Sequence, residues 1–96
     1  MRLTVLAASL LLASSAFAAD KVKVGFVSTL SGPGAGLGVD IRDGFNLAVR
    51  HLNGKLGNLP AEVIIADDQQ KPDVAKAETE KFLKKDKVDF MTGIVF

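Results

Sequence analysis

Hydrophobic and polar positions change period several times along this chain, and each change marks an element. "KVKVGFVS" (21–28) alternates at first and then runs apolar without interruption, as expected of a strand buried on both faces. A glycine-rich stretch, "STLSGPGAGLG" (28–38), follows. From Asp40 the spacing becomes helical: Ile41, Phe45, Ala48, Val49 and Leu52 fall on one face, and "NG" at 53–54 closes the helix. Asp40 and Asp43 are placed in its first turn, where carboxylates complement the helix dipole.

A β-branched run, "AEVIIAD" (61–67), entered through Pro60, predicts a second strand. "DDQQK" is a turn, and Pro72 suits the first position of a helix, with Asp73 beside it. That helix is expected to reach about Lys85, with Val74, Ala75, Phe82 and Leu83 as its apolar face. A third strand, "VDFMTGIVF", starts at Val88 and is expected to run on through Phe96. The order is βαβαβ, without repeats or a linker. Helices of about 14 residues between strands require parallel pairing through right-handed crossovers. The expected fold class is therefore α/β, a half-Rossmann βαβαβ unit with strand order 2-1-3 and one helix on each face. Ligands of such sheets sit at the carboxyl ends of the strands where the order reverses, here between the first and third strands. The glycine loop is one wall of that crevice.

Residues 1–18 stand apart. Arg2 is followed by an apolar stretch from Leu3 to Ala13, then by "SSAFA" with Ala16 and Ala18 at the −3 and −1 positions of an A-x-A site. This is the layout of a signal peptide cleaved after Ala18. The stretch falls short of the roughly 20 apolar residues of a membrane span. Cleavage removes one charge, Arg2, and leaves 11 of the 12 basic residues against 11 acidic ones. That balance argues against a nucleic-acid or membrane-surface partner. There is no cysteine, which excludes disulfides, thiol chemistry and Cys-ligated zinc. The expected mature product is a soluble, exported chain of residues 19–96.

A glycine loop between strand and helix often cradles phosphate, but the motifs fail. G-x-G-x-x-G meets Leu37, Val39 or Ile41 where its last glycine belongs, and the one Gly-Lys pair, Gly54–Lys55, precedes Leu56. No Lys or Arg lies between Lys23 and Arg42. Gly34 and Gly36 instead leave room for backbone to approach a ligand with no Cβ in the way.

Together with the leader, "GFVSTLSGPGAGLGVDIRDGFNLAVRHLNG", "DDQQKPDVA" and "KVDFMTGIVF" resemble the branched-chain amino-acid (leucine)-binding family of periplasmic binding proteins of ABC transporters. The most specific pieces are Ser31-Gly32-Pro33 with Gly38, and Asp68 with Pro72. The resemblance implies that residues 19–96 are the N-terminal part of lobe 1 of a type I periplasmic-binding-protein fold, incomplete by itself. It implies the substrate-binding component of an importer for branched-chain or related amino acids or small carboxylates. Its partners are the solute and an ABC permease, its place is the periplasm, and it has no cofactor. Ser31, Gly34, Gly36, Leu37 and Gly38 are the implied ligand-binding residues. Leu37 stands where the family often carries an aromatic, which leaves the solute open. The second wall and second lobe lie beyond this stretch, so it is not expected to bind solute alone.

No residues here suggest catalysis or a metal site. His51, the only histidine, reads as a helix surface residue. Neighbouring strand residues point to opposite faces, so Asp67 and Asp68 read as turn formers rather than as ligands to one ion. Neither G-x-S-x-G nor H-E-x-x-H occurs. Two other readings stay open: an exported flavodoxin-like enzyme binding a nucleotide or cofactor, and the ectodomain of a receptor-type sensor.

Overall fold

The computed structural model describes residues 20–96; the leader lies outside the described residues. Strand β1 (Val22–Ser28) leads to helix α1 (Ala35–His51). A hairpin of β2 (Lys55–Leu56) and β3 (Leu59–Asp67) follows, then helix α2 (Pro72–Lys81), a π turn over Phe82–Asp86, and β4 (Phe90–Gly93).

The sheet runs β2-β3-β1-β4. β1 pairs in parallel with β3, from Val22 opposite Ala61 to Ser28 opposite Asp67, and with β4, from Val24 opposite Phe90 to Val27 opposite Gly93. The parallel strands thus have the expected order, with β1 in the centre. β2 adds a short antiparallel edge, whose turn places Gly57 and Asn58 at φ 58° and 69°. Both values belong to a tight hairpin turn whose twist matches the flanking strands.

β1 carries the core. Val24, Phe26 and Val27 are buried, and the Phe26 and Phe45 rings pack at 5.0 Å between centroids, joining sheet to α1. On the other face Phe82 is buried over Gly25, where an added Cβ would come within 2.7 Å of the Phe82 ring. A glycine in mid-strand here makes room for an aromatic anchor from the opposite layer.

Three boundaries differ from the sequence reading. Helix α1 begins at Ala35, five residues before Asp40, so Asp40 and Asp43 lie beyond the first turn, which holds no acidic residue. Glycines favour coil, yet the helix starts among them because Gly38 is buried against β1: a Cβ there would run into the carbonyl oxygen of Thr29. Next, only part of each predicted helix face is covered. Phe45 and Val49 turn inward, while Ile41, Leu52 and Leu83 are exposed. Finally, β4 ends at Gly93 rather than continuing to Phe96. Gly93 (φ 110°) and Ile94 (φ 69°) bend the chain in the left-handed region, and the Ile94 N–H donates to the Val27 carbonyl at 2.6 Å.

Candidate solute crevice at the carboxyl ends of the strands

The segments that follow β1, β3 and β4 converge at one end of the sheet. The β1–α1 loop is stitched to the β3–α2 turn residue by residue. The Thr29 hydroxyl donates to Asp68 Oδ1 at 2.7 Å, and the Ser31 hydroxyl to Asp67 Oδ2 at 2.6 Å. The Leu30 N–H donates to Asp67 Oδ1 and the Gly34 N–H to Gln70 Oε1, at 2.8 and 2.7 Å. The Ser28 hydroxyl donates to the Gly38 carbonyl at 2.9 Å, tying the strand end to the second turn of α1.

Ser28, Thr29 and Asp68 are buried, and among the described residues no buried side-chain polar atom lacks a partner. A buried network satisfied in this way is rigid, because each member would be costly to leave unpaired. The Ser31 hydroxyl, above all, holds the Asp67 carboxyl below the ordinary carboxylate range. Partial burial opposes this, and the N–H groups of Gln69, Leu30 and Ser31 reinforce it.

Asp67 and Asp68 therefore hold the loop, each through its own set of donors. Their turn role agrees with the reading of the pair. Among the described residues no three His, Asp or Glu side chains gather as a metal site, and His51 is exposed in the last turn of α1.

The five residues singled out in the glycine loop divide. Gly36 faces open space and Leu37 is 53% exposed, so both lie free at the start of α1. Gly34 is half-buried between Gln70 and the ring of Phe96, which arrives from the segment after β4. Ser31 is exposed, with its proton committed to Asp67. Gly38 is buried against the Thr29 backbone, with which an added Cβ would collide, so it packs α1 onto the end of β1. α1 has no side-chain hydrogen bond at its N-cap from a residue of its own. The first N–H groups of a helix have no partner within it and carry the positive end of its dipole.

A cleft of about 160 Å³ adjoins this start, lined by Asp68, Gln70, Lys71, Pro72, Ala75 and Phe96. That Gln70 and Phe96 line this cleft was not legible: one looks like an ordinary turn residue and the other like the interior of a strand.

A parallel three-stranded α/β core with an antiparallel edge strand and a glycine-built helix start at its switch point belongs to the doubly wound class, in which small molecules are commonly met at this end of the sheet. The chain belongs to the periplasmic binding protein family, whose model matches residues 21–96. This is a family of solute-binding transport proteins rather than of enzymes. "Leu/Ile/Val-binding protein homolog 6" of Brucella abortus is 35% identical over 95 residues, which cover 98% of this chain and 24% of the relative. The chain thus spans about a quarter of the length of the curated relatives it matches.

Among solved structures, an ABC transporter substrate-binding protein from Sphaerobacter thermophilus superposes with a TM-score of 0.76 at 30% identity, over 79% of this chain and 20% of that one. A solute-binding protein of an R. palustris ABC transporter, in complex with 4-hydroxybenzoate, gives 0.73 at 31% identity over 80% and 21%. A branched-chain amino-acid ABC transporter ligand-binding protein from Burkholderia xenovorans gives 0.69 at 28% over 78% and 20%.

Proposed function

We propose that this chain contributes the first wall of the solute crevice in the substrate-binding component of an ABC importer, and that its solute is a small carboxylate: a branched-chain amino acid, a related amino acid, or an aromatic acid of the benzoate kind. In this reading residues 1–18 are a signal peptide removed after Ala18, residues 19–96 form the N-terminal part of lobe 1, and the loaded protein docks on a membrane permease. The carrying observation is the start of α1. Four residues, Gly34–Leu37, present a helix N-terminus free of acidic side chains at the switch point of a parallel sheet, held in place by buried hydrogen bonds.

Such a terminus attracts a carboxylate. Relatives of similar fold carry 4-hydroxybenzoate or are named for branched-chain amino acids. Gly34, Gly36 and Leu37 are the residues proposed to face the solute. Ser31 holds the loop through Asp67, and Gly38 seats the helix.

The test is calorimetric titration of the native gene product, purified from the periplasm, with leucine and with 4-hydroxybenzoate. Saturable binding of either, together with an intact mass that begins at Ala19, supports the reading. A product that retains residues 1–18, or that binds neither acid, removes it.

A further inference from the structure

We propose that Gln70 is a positioning residue for the solute-facing start of α1, acting on affinity through Gly34 without touching the solute. The proposal rests on the binding reading above. It starts from an unusual helix start: glycines at 34 and 36 disfavour helix, and no residue of the loop caps α1 with its own side chain. Across the crevice, Gln70 Oε1 accepts the Gly34 N–H at 2.7 Å. Among the described residues this is the side-chain hydrogen bond received by the segment Gly34–Leu37, so a residue 36 positions away does the work of a cap.

Gln70 is itself aimed. Gln69 and Gln70 have φ of 56° and 58°, two successive non-glycine residues in the left-handed region, a conformation that persists only where the surroundings impose it. Those surroundings are the two aspartates. Asp67 Oδ1 accepts the Gln69 N–H and Asp68 Oδ1 accepts the Gln70 N–H, both at 2.8 Å. Asp68 is in turn fixed by the Thr29 hydroxyl, which stands at the end of β1. The route from β1 to the helix start therefore runs through Thr29, Asp68 and Gln70.

Space around Gly34 is as narrow as the bond is directed. A Cβ there would come within 2.9 Å of Gln70 Oε1 and would meet the Phe96 ring. Gln70 thus sets how far the first free N–H groups of α1 stand from the middle of the crevice. It is exposed, so its role is to place that loop rather than to fill the core.

The experiment compares the native full-length product with Gln70→Ala and Gln70→Glu, the second of which keeps an acceptor oxygen at the same reach. Amide hydrogen exchange is read at Gly34–Gly36 and at Val24–Val27, and affinity is measured with leucine and 4-hydroxybenzoate as probes. Gln70→Ala should speed exchange at Gly34 by about tenfold, with the β1 amides unchanged. It should also weaken the probe that binds by about threefold to tenfold, and Gln70→Glu should restore slow exchange at Gly34 while its added negative charge keeps a carboxylate probe weakly bound. Unchanged exchange at Gly34 overturns the proposal, as does faster exchange that extends equally to Val24–Val27. If the parent protein binds neither probe while Gln70→Ala still loosens Gly34, the binding reading fails, and with it the effect on affinity; the anchor alone is then demonstrated.

Discussion

The two ends of the sheet are built from similar residues and held in opposite ways. At the amino end, Lys21 pairs with Glu62 at 2.7 Å, and the Lys23 N–H donates to Asp89 Oδ2 at 2.8 Å, both in contact with water. At the carboxyl end, hydroxyls and carboxylates of comparable reach are drawn under the loops, and Ser28, Thr29 and Asp68 are buried. Exposed pairs gain little because water and salt screen them. Buried, fully paired groups cannot be released without leaving a partner unsatisfied. The lesson is about placement: rigidity is concentrated where strand ends must hold a helix start in position, and the opposite end is merely tied off.

The sharpest way to break this asymmetry is Gly38→Ala. Its new methyl group meets the Thr29 backbone, which cannot rotate away, so α1 must lift from β1. A loss of about 3 kcal/mol in urea unfolding is expected, at the upper end of overpacking costs. Next comes Asp68→Ala, which strips the acceptor from Thr29 and from the Gln70 N–H. Orphaning a buried hydroxyl should lower stability by about 1–3 kcal/mol in the same assay.

Acid should act more gently. The Asp67 carboxyl is held below its ordinary range when folded, so its contribution is present above the unfolded value of about 3.9 and is lost as pH falls through the lower folded value. Glu62 is shifted in the same direction by Lys21. Asp67→Asn should flatten the decline of the melting temperature as pH falls below about 4, and an unaltered slope would assign the acid sensitivity to other carboxylates. The smallest effect belongs to Lys21→Ala, whose exposed pair should leave the unfolding midpoint unmoved at physiological salt. A shift matching that of Asp68→Ala would erase the distinction between the two ends.

Much of the fold was legible. Periods of two and 3.6 residues located the three parallel strands and both helices, and the rules of crossover connection placed β1 in the centre. "NG" closed α1 as expected, with Asn53 and Gly54 both in the left-handed region. The β2–β3 hairpin was missed although Gly57–Asn58 is a hairpin signal, because two-residue strands leave no period to read. Of the candidate site, the glycine-rich segment after β1 was legible, but not the closeness of Gly38 to the Thr29 backbone, which seats the helix.

By itself the sequence determined the alternation of strand and helix and the parallel order of the strands. These follow from local periodicity and from the length of each connection, which act between neighbours in the chain. Only the tertiary structure decided where α1 begins, where β4 bends away, and that Gln70 caps a helix it does not belong to. Each depends on contacts between segments far apart in sequence, such as Gly34 with Gln70, 36 residues on, and Val27 with Ile94. Contacts of that kind override intrinsic preference, which is why a helix can start among glycines and an isoleucine can sit in a left-handed bend.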